Sequence, residues 1–195
     1  MPYNSAIDVT AGEGKVYCAT PYSLFSVNTA DNTVERFSRV TGLNETGISA
    51  IRYDEAAKKL FIAYSNSNID IIYRNDIYNV PDIKRDNIIG DKTIYNIYPL
   101  AKDFYLSTGL GVIVIDGERN EVKDSWFIGN GGNQVKVNGF SSDGTFFYAA
   151  TAEGLKKAAM NSTDLANYAS WQLVSGGNGL ATGACQNVVT VQNKV

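Results

Sequence analysis

The chain has no histidine in its 195 residues. That removes the side chain that titrates near neutral pH and the commonest metal ligand. A Ser-His-Asp or Cys-His site cannot be assembled within it, and zinc hydrolysis by the usual ligand sets is nearly excluded. Cysteine is almost as scarce. Cys18 and Cys185 read as two free thiols, since a bridge would need the two chain ends brought together. Clustered positive charge is missing too. The net charge is −3, with no basic block. Nucleic acid binding needs grouped Lys and Arg to replace condensed counterions, so no nucleic acid partner is expected. No apolar run is long enough for a transmembrane helix. Met1-Pro2 leads directly into polar residues, without the basic and apolar regions of a signal peptide. Either the protein stays inside the cell, or this chain starts after a removed signal peptide.

A repeat is present instead. The motif aromatic-x-small-[Thr/Tyr] reads Tyr17-Cys18-Ala19-Thr20, Phe61-Ile62-Ala63-Tyr64, Tyr105-Leu106-Ser107-Thr108 and Tyr148-Ala149-Ala150-Thr151. Successive copies lie 44, 44 and 43 positions apart. A second apolar strand follows each copy, at 24–27, 69–73, 112–115 and 155–158. An apolar position precedes each: Ile7, Ile51, Ile97 and Phe140. Short strands repeated at this period are the signature of propeller blades. The 12 Tyr and 8 Phe suit that reading, because aromatic side chains pack well on a pleated face.

Each unit divides into four strands; in the first they are expected at 6–10, 16–19, 24–27 and 33–38. The joints carry turn chemistry, as in Gly12-Glu13-Gly14. Asp116-Gly117 and Asp143-Gly144 are expected to supply the positive φ of a tight hairpin. Phe37, Trp126 and Trp171 mark the outermost strand of units 1, 3 and 4, and Val80-Pro81-Asp82-Ile83 takes that place in unit 2. Proline on an edge strand removes the least pairing. Residues 155–165 have fair helix propensity, but the repeat predicts a strand followed by a loop. The fold class is all-β: a partial β-propeller over 1–195, with blades at 5–43, 48–90, 94–134 and 137–178 and the start of a fifth at 180–195. Four and a third blades do not close a ring, so the chain reads as part of a longer one; a compact four-bladed ring with an irregular tail is the alternative. An unclosed propeller exposes strand edges, which predicts pairing with another copy or poor solubility.

Few residues suggest chemistry. Ser65-Asn66-Ser67-Asn68-Ile69-Asp70 is polar and sits between two strands of unit 2. It reads first as a structural turn, with Asn66, Asn68 and Asp70 as candidate ligand or partner contacts. A calcium site is conceivable, but the alternating acidic pattern of a calcium loop is absent. Gly109-Leu110-Gly111 lacks the third glycine and the following helix of a dinucleotide fingerprint, so it is a hairpin turn. Gly129-Asn130-Gly131-Gly132-Asn133 reads as a connection between blades. Asp8, Asp54, Asp70, Asp103, Asp116 and Asp143 occupy different places in the repeat, mostly beside turns, and suggest no catalytic pair. No catalytic residue, metal site or cofactor is expected.

Several phrases carry a family likeness: Ser49-Ala50-Ile51-Arg52-Tyr53-Asp54, Leu60-Phe61-Ile62-Ala63-Tyr64-Ser65-Asn66-Ser67-Asn68-Ile69-Asp70, Gly90-Asp91-Lys92-Thr93-Ile94, and Tyr105-Leu106-Ser107-Thr108-Gly109-Leu110-Gly111. With Tyr148-Ala149-Ala150-Thr151-Ala152-Glu153-Gly154-Leu155 they span nearly the whole chain. They resemble the amino-terminal β-propeller of PorZ-type proteins of the type IX (Por) secretion system. The resemblance implies a non-enzymatic, extracytoplasmic protein at the cell surface, beside the sortase that processes secreted cargo. It also implies protein partners within that complex and lipopolysaccharide as a further candidate partner. The Thr-x-x-Gly-Leu wording at 151–155 is similar to sensor propellers of hybrid two-component histidine kinases. Their Trp-Ile-Gly-Thr phrase is replaced in every blade here, so a ligand-sensing propeller ranks second. A polysaccharide-active propeller enzyme ranks third.

Overall fold

The computed structural model describes residues 5–74, 76–177, 179–192 and 194–195; Met1-Pro2 and the predicted blade boundary at Asn178 lie outside them. The first sheet comprises β1 (Asp8–Gly12), β2 (Lys15–Ala19), β3 (Leu24–Asn28) and β4 (Val34–Phe37). The second holds β5 (Ile48–Asp54), β6 (Lys59–Tyr64), β7 (Ile69–Tyr73) and β8 (Asp76–Val80). The third holds β9 (Ile94–Leu100), β10 (Asp103–Thr108), β11 (Val112–Asp116) and β12 (Glu121–Trp126). The fourth holds β13 (Val137–Ser142), β14 (Phe146–Thr151), β15 (Gly154–Ala159) and the short β16 (Gln172–Leu173). In each sheet the strands pair in chain order, and every pairing is antiparallel. The first strands β1, β5, β9 and β13 contact one another in series, which makes them the inner strands of adjacent blades. This is a β-propeller fragment of four blades.

Cores form between blades. One joins blades 1 and 2 through Tyr17, Leu24, Ile51, Leu60, Ile62 and Tyr64. The next joins blades 2 and 3 through Phe61, Ala63, Ile71, Ile97, Phe104 and Leu106. The third joins blades 3 and 4, where Trp126, Phe140 and Phe147 gather around Tyr105 and Trp171 packs on Trp126 and Phe140. Successive side chains of a strand point to opposite faces. Leu60, Ile62 and Tyr64 of β6 therefore serve blade 1 while Phe61 and Ala63 serve blade 3. A strand covered on both faces reads as a continuous apolar run, which is why Leu60–Tyr64 shows no polar alternation. Burying one such Leu or Ile contributes about 1.5–3 kcal/mol.

Several local expectations need correcting. Val9, and not Ile7, is the blade-1 counterpart of Ile51, Ile97 and Phe140. Val9 pairs with Cys18 as Ile51 does with Ile62, Ile97 with Leu106 and Phe140 with Ala149. The first strand runs on to Gly12 because the turn is only two residues long, with Glu13 and Gly14 both at positive φ. Pro81 is not in an edge strand. β8 stops at Val80, and Pro81 starts a one-turn helix, α1 (Asp82–Arg85), which buries Ile83. Val80 holds the register that Phe37 and Trp126 hold in their own blades, opposite Ile69 as they are opposite Leu24 and Val112. Trp171 precedes its strand and donates from Nε1 to the Leu165 carbonyl at 2.9 Å. Gly144 has the expected positive φ of 89°. Gly117 is not at positive φ; it is glycine because a Cβ would lie 2.3 Å from the Phe104 ring and 2.6 Å from the Lys102 carbonyl. The segment at 154–159 is strand, as the repeat predicts.

Residues 180–195 carry an isolated bridge between Val191 and Lys194. Residues 185–190 lie against β13. Asn138 Nδ2 donates to the Cys185 carbonyl at 2.8 Å, and the Ser141 and Thr190 hydroxyls are 2.9 Å apart. Cys18 and Cys185 are both free thiols. Among the described residues no helix is long and apolar enough to cross a membrane.

Candidate functional site

The motif threonines have a structural task. Thr20 Oγ1 donates to the Ser23 carbonyl at 3.0 Å, Thr108 Oγ1 to Gly111 at 2.9 Å and Thr151 Oγ1 to Gly154 at 2.7 Å. Each clasps the hairpin between the second and third strands of its blade. In blade 2 the hairpin is one residue longer, closing through Tyr64 N to the Asn68 carbonyl at 3.0 Å. A hydroxyl on Cβ would not span it. Tyr64 occupies the position and extends its phenol to Asp70 Oδ2 at 2.6 Å.

This places all three predicted contact residues. Asp70 is fully buried. Its Oδ2 also accepts from Asn44 N at 2.8 Å, and its Oδ1 accepts from Asn44 Nδ2 at 2.8 Å and Asn79 Nδ2 at 2.9 Å. A buried carboxylate must be paired this thoroughly to be tolerated. Asn68 is buried beside it and accepts from Asn79 Nδ2 at 3.1 Å. Asn66 caps the turn, with Oδ1 accepting from Asn68 N at 3.1 Å, and it is the exposed member of the three. Burial, reinforced by Asp70, pushes the Tyr64 phenol far above its usual range. The structure thus brings Asn66, Asn68 and Asp70 together, but as the internal scaffold of a turn.

The recurrent aspartates are also engaged. Asp54 accepts from Ala56 N and Ala57 N, Asp116 from Glu118 N and Arg119 N, and Asp143 from Thr145 N and Phe146 N. These are side-chain mimics of backbone turns. Asp8 Oδ2 accepts from Ile51 N at 2.8 Å and so links inner strands β1 and β5. Asp103 pairs with Lys123 at 2.5 Å.

The inner strands frame a cavity of about 380 Å³. Its wall includes Arg52 of β5, Asn96 and Tyr98 of β9, Ser141 of β13, and Asn187 and Thr190. Sequence reasoning did not single out these residues, because their convergence depends on how the blades rotate about the axis. One signal was present: the residue after each apolar inner position is Thr10, Arg52, Tyr98 and Ser141. Each of these reaches the next inner segment. Thr10 Oγ1 accepts from Tyr53 N at 3.0 Å, and Arg52 Nε donates to the Ile97 carbonyl at 3.2 Å. The Tyr98 ring meets Phe140 edge-on at 5.9 Å, and Ser141 meets Thr190. Three of the four residues are uncharged. Arg52 alone brings a formal charge to this register.

A second cleft, of about 410 Å³, opens between blades 3 and 4 beside Asp103, Tyr105 and Trp126. Asp103 Oδ1 has no hydrogen-bond partner among the described residues and is itself closed off from solvent. Burial first, then the Asp103 charge, raises the Tyr105 phenol to about 12.

Comparison with known proteins adds a family. A family model described as the PorZ N-terminal β-propeller domain of the type IX secretion system matches residues 16–172. Among solved structures, PorZ of Porphyromonas gingivalis superposes with a TM-score of 0.76 at 25% identity. It is described as an essential bacterial surface component of the type IX secretion system. The match covers 87% of this chain and 22% of that one, so the chain spans under a quarter of its length. An extracellular domain assigned to a one-component system of B. thetaiotaomicron also superposes with a TM-score of 0.76, at 11% identity, over 98% of this chain and 26% of its own. AztD of Citrobacter koseri reaches 0.64 at 11% identity, over 96% of this chain and 50% of its own. At that identity the last two show the fold alone. Comparison with curated proteins gives no match.

Proposed function

This chain belongs to the PorZ N-terminal β-propeller family, and from that premise we propose that it is a non-enzymatic binding propeller of type IX protein secretion. It acts outside the cytoplasm at the cell surface, beside the sortase that processes secreted cargo, and its partners are proteins of that complex. Lipopolysaccharide is the further partner this reading allows. The observation that carries it is the family match over 16–172, reinforced by the likeness to a surface component of the same system. The use of carboxylates supports the non-enzymatic part. Asp54, Asp116 and Asp143 hold turns, and Asp70 is buried in a saturated network.

The test is genetic. Deleting the gene should leave secreted cargo with its sorting domain attached at the surface, and the intact gene in trans should restore processing. Normal cargo processing in the deletion strain would refute the assignment.

A further inference from the structure

We propose that the axial cavity is a binding site for a small carboxylate-bearing ligand, with Arg52 as the residue that takes the carboxylate. The proposal does not depend on the secretion role, since it rests on the cavity alone.

The argument starts from Arg52. It is partly buried on an inner strand, where the neighbouring blades place Thr10, Tyr98 and Ser141. A cation withdrawn from water without a counter-charge is unfavourable. The ion pairs among the described residues are Lys15–Glu35, Lys58–Glu55, Lys84–Glu45, Lys102–Glu118, Arg119–Glu121, Lys123–Asp103 and Lys156–Glu153. Arg52 is in none of them. Its one hydrogen bond among the described residues, from Nε to the Ile97 carbonyl at 3.2 Å, fixes the guanidinium and leaves the terminal nitrogens uncommitted to any of them. A guanidinium held in this way offers a pre-oriented fork, the geometry that matches a carboxylate.

The surroundings extend the match. Asn96 lines the same cavity, and its side-chain amide makes no hydrogen bond among the described residues, so it is available to the remaining polar atoms of a ligand. The Tyr98 ring and Phe140 supply an apolar wall. A few placed polar groups on an apolar wall are the usual make-up of a small-molecule site, and about 380 Å³ falls within the usual range of such sites. One cation favours a single negative charge. Phosphate sites typically add backbone N–H groups from a helix start or a nest. On β5 the axis-facing N–H groups of Ile51 and Tyr53 are already taken by Asp8 and Thr10.

Binding can be read with the full chain by following the Arg52 side-chain Nε–H resonance on titration with D-glucuronate, D-glucose and inorganic phosphate. Glucuronate should shift that resonance saturably, and glucose, which lacks the carboxylate, should not. Arg52→Gln should weaken glucuronate binding by about 10-fold or more. Arg52→Lys keeps the charge but loses the fork, and should fall between. Asn96→Ala removes an amide that makes no hydrogen bond among the described residues, and should weaken binding by a few-fold while leaving thermal unfolding unchanged. Three results would each overturn the proposal: no saturable shift with glucuronate, equal affinity in a folded Arg52→Gln variant, or stronger binding of phosphate than of glucuronate.

Discussion

The Tyr64 hydroxyl meets Asp70 Oδ2 at 2.6 Å across a hairpin that is one residue longer than its counterparts. The pair does in blade 2 what a threonine does within its own turn in the other blades. Tyr64→Phe deletes one donor and leaves Asp70 with Asn44 and Asn79, so the expected loss is about 1–3 kcal/mol. Asp70→Ala should be worse, because it removes the acceptor of four hydrogen bonds at once and strands the buried Tyr64 hydroxyl. Urea unfolding checks both. A Tyr64→Phe loss equal to that of Asp70→Ala would mean that the asparagines contribute nothing.

Thr108→Val and Thr151→Val keep shape and remove the clasp. Each should lower stability by about 1 kcal/mol, the net worth of a typical internal hydrogen bond, or somewhat more because the acceptor carbonyl is buried. Tyr64→Thr should not recover the wild-type value, since the longer turn puts its acceptor out of reach. Chemical denaturation of the three variants side by side decides this.

Gly111 has φ of +147°, and a Cβ there would lie 2.1 Å from the Trp126 carbonyl. Both the backbone and the space demand glycine. Gly111→Ala should destabilise by several kcal/mol, in the range of severe overpacking. Gly144 is also at positive φ, but a Cβ there would meet nothing within 4 Å. Gly144→Ala should therefore cost only about 1 kcal/mol. Equal losses at the two sites would show that φ, and not the close approach, sets the penalty.

Lys156 is buried, and its ammonium donates to the Ile128 carbonyl at 2.7 Å and to Glu153 Oε2 at 2.6 Å. It ties blade 4 to the connection leaving blade 3. Lys156→Met keeps most of the volume and should be milder than Lys156→Ala, which also opens a cavity. The expected penalty for the alanine variant is about 2–4 kcal/mol. Thermal unfolding compares them, and the order Met worse than Ala would contradict the packing argument.

Acid sensitivity should follow the turn aspartates. The Phe146 N–H holds the Asp143 carboxyl below its usual range; burial, the next effect, opposes it, and the Thr145 N–H and Tyr148 hydroxyl add to the lowering. A carboxyl depressed in the folded state stabilises above its unfolded pKa of about 3.9, and that contribution is lost as pH falls through the folded value. Asp143→Asn still accepts the turn hydrogen bonds but cannot titrate. Its stability should therefore decline less steeply below about pH 4 than that of the wild type. Parallel acid limbs for the two proteins would remove Asp143 as a contributor.

Much of the architecture is legible from residue order. The spacing of Thr20, Tyr64, Thr108 and Thr151 marks equivalent places in four sheets, because a blade is a local unit whose strands pair in chain order. The strand at 154–159 shows the repeat prevailing over helix propensity. Other readings failed where contacts between distant residues decide. Ile7 looked like the inner apolar position until pairing with Cys18 assigned it to Val9. Asp116-Gly117 looked like a positive-φ turn, but Gly117 is small because Phe104 needs the room. The Ser65–Asp70 segment reads first as a structural turn, but the burial of Asn68 and Asp70 within it depends on Asn44 and Asn79, which approach from other parts of the blade.

The order of residues alone determined a chain of four repeated, antiparallel, strand-built units, since periodic side-chain character and turn chemistry are local properties. It also removed histidine chemistry, because a residue that is absent cannot be placed. Only the tertiary structure decided which polar side chains are used up inside turns and which one at the axis, Arg52, has no ion-pair partner among the described residues. That outcome follows from bringing inner strands some 45 residues apart into contact, and no local pattern in the chain encodes that meeting.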